Sequence, residues 1–92
     1  SAEEAFRMGM IQELCEPGEQ FSAAMAIAES VARAAPLAVK GSLKSSKLAR
    51  DQGEHVAIQR LFPELKPIMA SADMKEGIQS FIERRDAVFI GR

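Results

Sequence analysis

Residues 71–91 read SADMKEGIQSFIERRDAVFIG, and the fold class is decided there. Asp73 and Glu76 have the D-x-x-E spacing of a capping box, so a helix is expected to start at Asp73. Met74, Gly77, Ile78, Phe81 and Ile82 then recur at helical intervals and form one apolar stripe. Arg84 and Arg85 fall at the helix end, where cations suit the dipole. The last residues, VFIGR, read as an irregular tail.

Upstream, Ile58, Leu61, Phe62, Leu65, Ile68 and Met69 keep the same helical spacing. Pro63 and Pro67 oppose it, since each removes a backbone donor and costs about 3 kcal/mol in a helix interior. The expectation is a helix from Glu54 to Leu61, a break at Phe62–Pro63, and a second short helix. Before it, Pro36 suits the first position of a helix running to about Asp51, closed by Gly53. The clearest stripe is Phe21, Ala24, Met25, Ala28, Val31, Ala32 and Ala35, a helix that Pro36 ends by forcing its predecessor out of the helical region. CEPGE, residues 15–19, is a turn, and Met10–Leu14 alternates like a short strand or an extended link. Ser1 and Glu4 form a capping box for a helix over Ala2–Met8, with Gly9 as its left-handed stop. The sum is an all-α chain, a small bundle of five or six helices with at most one short strand near residues 10–14, in one domain over residues 1–92.

Composition narrows the function. Aromatics are five Phe with no Trp or Tyr, which favours helices packed through small side chains over a sheet. A net charge of −1, with both signs interspersed, argues against a nucleic-acid binder. The single Cys15 cannot form an internal disulfide, which points to a reduced, cytoplasmic compartment. No apolar run approaches the roughly 18 residues a membrane span needs, and SAEEAFRMG is an acidic helix start rather than a signal peptide. No membrane partner is expected.

Candidates for chemistry are few. A Cys15–His55 pair could be a nucleophile and its base, but the two stand forty residues apart and nothing else supports them. A semi-buried thiol and an exposed helix-start histidine is the plainer alternative. No His, Cys or carboxylate cluster has metal-ligand spacing, and no glycine-rich phosphate loop occurs, so no metal is expected. Lys40, Lys44, Lys47 and Arg50 make a basic stripe that could meet phosphates or simply face solvent. Phe81 with Arg84 and Arg85 could stack a base and pair a phosphate, or could be a core ring beside dipole-complementing cations.

The ordered motifs resemble one family throughout. SAEEAFRMGMIQEL, residues 1–14, is similar to the helix-into-strand run A-x-E-A-x-x-x-G of the crotonase (enoyl-CoA hydratase/isomerase) family. AIAESVARAAPLAVKGSLK, residues 26–44, resembles its I/L-A-x-x-I/V-A-x-x-x-P-x-A-V stretch. Residues 71–91 resemble its terminal S-x-D-x-x-E-G-x-x-A-F-x-x-K/R-R-x-P-x-F-x-G. Ser80 stands where Ala is usual, Asp86–Ala87 replaces x-Pro, and Pro63 and Pro67 fall where the family runs a continuous helix.

The resemblance implies the C-terminal helical domain of a crotonase fold, from an enzyme acting on acyl-CoA thioesters, with hydration of a 2-enoyl-CoA as the expected reaction. In that family a preceding ββα-repeat core carries the oxyanion hole and the two catalytic glutamates. The catalytic residues are therefore expected to lie outside this chain, leaving it inactive by itself. The segment is expected to cover the acyl-CoA pocket and to build a homo-oligomer, a trimer or hexamer. Phe81 and Arg84 would touch coenzyme A of a neighbouring subunit, coenzyme A being part of the substrate and no separate cofactor being implied. The isolated chain should self-associate through its apolar stripes. The alternatives are a free-standing helical protein-interaction module and a nucleic-acid contact helix on Lys40–Arg50.

Overall fold

The computed structural model describes residues 1–92 as five helices and no strand: α1 (Ala2–Arg7), α2 (Gln20–Ala32), α3 (Pro36–Gln52), α4 (Glu54–Met69) and α5 (Ala72–Glu83). The chain divides into two compact units, residues 1–30 and 31–92.

Local signals build the first unit. The Ser1 hydroxyl accepts from the Glu4 N–H at 3.1 Å and caps α1. At the other end the Gly9 N–H donates to the Phe6 carbonyl and the Met10 N–H to the Ala5 carbonyl, with Gly9 at φ 75°. That double bond is a Schellman stop, and its left-handed residue has no Cβ to strain. Of the two forms open to residues 10–14, a short strand or an extended link, the chain takes the link, without a strand partner. α2 forms where its stripe predicts, yet buries none of it: Phe21 is 76% exposed, and Met25 and Val31 are exposed too. The helix stops at Ala32, short of the expected Ala35, as the Ala34 N–H turns back to the Val31 carbonyl. Ala35 is extended at ψ 116°, the conformation its following proline demands.

The second unit centres on α3 and α4, which pack side by side. Pro36 opens α3 at its first turn, and the Gly53 N–H closes it on the Ala49 carbonyl. A Cβ on Gly41 would lie 2.8 Å from Cδ1 of Ile68, so a larger residue there would force the tip of the Ile68 side chain to shift. Ala57 is buried in the same seam, and the Lys44 ammonium pairs with the Glu64 carboxylate at 2.6 Å across it.

α4 corrects the expected break at Phe62–Pro63: it runs unbroken through Pro63 and Pro67. The two prolines stand one turn apart, so their missing N–H groups would have served the Gln59 and Pro63 carbonyls. Gln59, Pro63 and Pro67 are all exposed, so water can take the place of the lost donors. The opposite side, with Ala57, Leu61, Glu64 and Ile68, is held by α3. Packing of the whole face offsets a penalty that local propensity cannot.

α5 also starts differently from expectation. Its cap is Ser71, not Asp73: the Ser71 hydroxyl accepts from the Met74 N–H at 3.0 Å and donates to the Ile68 carbonyl at 2.6 Å. Asp73 is thereby free for the tail. No single helix is long and apolar enough to cross a membrane.

Candidate functional site

The tail after α5 lies back along the helix, and the two carboxylates of the presumed capping box hold it. Asp73 is 2% exposed and accepts from the Ile90 N–H at 2.7 Å and the Gly91 N–H at 2.8 Å, while its own N–H donates to the Arg92 carbonyl. Glu76, one turn on and on the same face, accepts from the Val88 N–H at 2.9 Å. Phe89 then lies over Gly77, 3.7 Å from where a Cβ would stand.

Glu76 has a second role. Its two oxygens take the Arg85 guanidinium as a fork, at 2.6 and 3.0 Å. Arg85 also pairs with Glu83 and donates to the Asp86 carbonyl. The Arg85 hydrogen bonds, then the Val88 N–H, hold the Glu76 carboxyl down at about 2. Gln79 and Arg85 lower Glu83 as well, and the two carboxylates raise Arg85.

Between these fixed groups lies Arg84, in the left-handed region at φ 54°, the one non-glycine residue there. Its N–H donates to the Phe81 carbonyl and the Arg85 N–H to the Ser80 carbonyl, the same double bond that ends α1. For a residue with a Cβ this conformation costs about 1–2 kcal/mol. The structure therefore separates two arginines that look equivalent in sequence. Arg85 is committed to carboxylates, whereas no carboxylate or carbonyl pairs with the Arg84 guanidinium.

Phe81 is 85% exposed, more than any other large apolar residue, so within this chain it is not a core ring. It edges an apolar groove of about 520 Å³ with Ile68, Met74, Gly77, Ile78 and Phe89. Arg84, exposed, stands one turn beyond it. The structure thus brings together an open ring, an unpaired cation and an apolar groove at the end of α5.

The other candidates fare worse. Lys44 and Arg50 of the basic stripe are engaged by Glu64 and Asp51, leaving Lys40 and Lys47 as its unpaired cations. Cys15 is exposed rather than semi-buried, in a groove with Glu3, Glu13, Glu16 and Glu19. His55 is exposed beside Gln59. No three His, Cys, Asp or Glu side chains are grouped as metal ligands. Sequence reasoning missed the tail-holding role of Asp73 and Glu76. Their i, i+3 spacing did place both on one face of a helix start, but a cap explains that spacing equally well.

Comparison with known proteins agrees with this architecture. The family model for enoyl-CoA hydratase/isomerase matches residues 1–92. The chain is 34% identical over 91 residues to (E)-benzylidenesuccinyl-CoA hydratase of Thauera aromatica, covering 99% of this chain and 36% of that protein. It is 31% identical to carnitinyl-CoA dehydratase of Salmonella paratyphi B, covering 100% of this chain and 37% of the relative. Among solved structures it superposes on a probable enoyl-CoA hydratase/isomerase from Mycobacterium abscessus with a TM-score of 0.93 at 39% identity, over 100% of this chain and 36% of that one. The enoyl-CoA hydratase of Mycobacterium tuberculosis gives 0.90 at 33% identity, over 99% of this chain and 36% of that one. The chain thus spans a little over a third of the length of the relatives it matches. With its full length matched and its helices superposed, this chain belongs to the enoyl-CoA hydratase/isomerase, or crotonase, family.

Proposed function

We propose that the chain serves as the C-terminal helical domain of an acyl-CoA enzyme, a lyase that hydrates a 2-enoyl-CoA. There it covers the acyl-CoA pocket and joins subunits of a trimer or hexamer. One observation carries the reading: twenty large apolar side chains are exposed and only Ala57 of the apolar residues is buried. Helices of this size do not hold themselves without a partner surface. A missing catalytic core and neighbouring subunits would supply that surface. The same exposure favours self-association when the chain is alone.

In this reading Phe81 stacks on the adenine end of coenzyme A and Arg84 meets a phosphate of the same molecule, bound by the next subunit. Support comes from the open ring, the unpaired guanidinium and their one-turn separation. The chain brings no acid–base pair for the chemistry, so by itself it should not consume crotonyl-CoA. A free-standing interaction module is the competing reading, since exposed stripes would equally meet a foreign protein.

The test is kinetic, in the full-length protein. Phe81→Ala should raise KM for acyl-CoA about fivefold, the equivalent of losing a stacking contact of roughly 1 kcal/mol, with little change in kcat. Arg84→Ala should act in the same direction and lose much of its effect at high salt. On a pantetheine thioester, which lacks the nucleotide, both variants should match the wild type. Equal impairment on both substrates would defeat the assignment.

A further inference from the structure

The conformation of Arg84 needs an explanation that its own side chain does not supply. A left-handed residue with a Cβ persists when the surroundings hold it there. Here the next residue is what is held. Arg85 is fixed in a fork by Glu76, nine residues earlier in α5, and also by Glu83. Glu76 is itself tied to the tail through the Val88 N–H. With Arg85 fixed on one side and the Phe81 carbonyl accepting the Arg84 N–H on the other, the turn between them closes in one form. The Arg84 side chain is then directed by a backbone it does not itself stabilise. Arg85 also balances one of the two nearby carboxylates, which would otherwise repel a phosphate at Arg84.

We propose that Glu76 and Arg85 are positioning residues, whose forked pair holds the last turn of α5 in the form that presents Phe81 and Arg84 to the nucleotide end of coenzyme A. This rests on the coenzyme A reading above and deepens it. Neither residue touches the ligand; both act through the turn.

The experiment is a double-mutant cycle in the full-length enzyme, with KM and kcat measured on acyl-CoA and on the pantetheine thioester. Glu76→Gln should raise KM for acyl-CoA by up to about fivefold, the range of one solvent-exposed charge pair, and leave pantetheine kinetics and kcat unchanged. Combined with Arg84→Ala it should add less than it does alone, because the part of its effect that passes through Arg84 is already gone. Arg85→Lys keeps the charge without the fork and should show a partial effect, and it carries the same test if Glu76→Gln does not assemble. An unchanged or lowered KM overturns the proposal, a lowered one meaning that Glu76 acts only as a nearby negative charge. Full additivity with Arg84→Ala overturns it too, while leaving the coenzyme A site standing. If Arg84→Ala itself leaves KM unchanged, the site reading fails and the positioning role goes with it.

Discussion

Two helix ends in this protein share one hydrogen-bond pattern and differ in the residue at its centre. α1 ends on Gly9 at φ 75° and α5 on Arg84 at φ 54°, each followed by paired N–H donations to carbonyls one turn back. After Gly9 the chain passes into an extended link with no side chain reaching back to it. After Arg84 it is bound by Arg85 to Glu76, then by Val88, Ile90 and Gly91 to Glu76 and Asp73. Glycine takes a left-handed turn without help, so nothing need be built around it. Arginine takes it at a cost, and the helix end around it is correspondingly braced. The difference sets the braced end of α5 apart from the unbraced end of α1.

The braced end of α5 is most sensitive at Asp73. Asp73→Ala removes two charge-assisted bonds to tail amides in a buried position and should cost about 3 kcal/mol. Urea denaturation measures the loss, and faster hydrogen exchange at the Ile90 and Gly91 amides would locate it. An unchanged midpoint would shift credit for tail docking to Phe89. A smaller and more informative pair of changes exchanges the two turn residues. Gly9→Ala should destabilise by about 1 kcal/mol, whereas Arg84→Gly should stabilise by about the same amount while raising KM for acyl-CoA. Thermal unfolding in parallel with kinetics reads both. If Arg84→Gly is less stable than the wild type, the strain argument is wrong.

The last effect shows itself only on acidification. Glu76 titrates near 2 in the folded chain against an ordinary value of 4.5, chiefly because Arg85, then the Val88 N–H, bonds its charged form. A carboxyl lowered on folding adds stability that is fully present above 4.5 and is lost as pH falls through about 2. The Val88 amide resonance should therefore move with a midpoint close to 2. A midpoint near 4.5 would show that the fork does not persist in solution, and Glu76→Gln should abolish the transition.

Much of this fold follows from neighbours in sequence. The Ser1 cap, the Gly9 stop, Pro36 at the head of α3 and the Gly53 link between α3 and α4 all depend on bonds spanning three to five residues, and such signals survive translation into residue patterns. The stripes of α2, α4 and α5 likewise announced helices, because a period of 3.6 is a property of the segment itself. The prominence of Phe81 and Arg84 came from a motif, and the structure adds that one is open and the other unpaired.

Only the tertiary structure decided the rest. α4 continues through Pro63 and Pro67 because α3 holds its opposite face, a contact no window of sequence contains. Lys44 leaves the basic stripe for Glu64, twenty residues away. Asp73 and Glu76 serve amides twelve to eighteen residues downstream instead of capping their own helix. Arg84 and Arg85, adjacent and alike in sequence, take opposite roles because one faces Glu76 and the other faces solvent. A carboxylate accepts an N–H or a guanidinium from any direction, so its partner is set by which groups the folded chain brings within 3 Å.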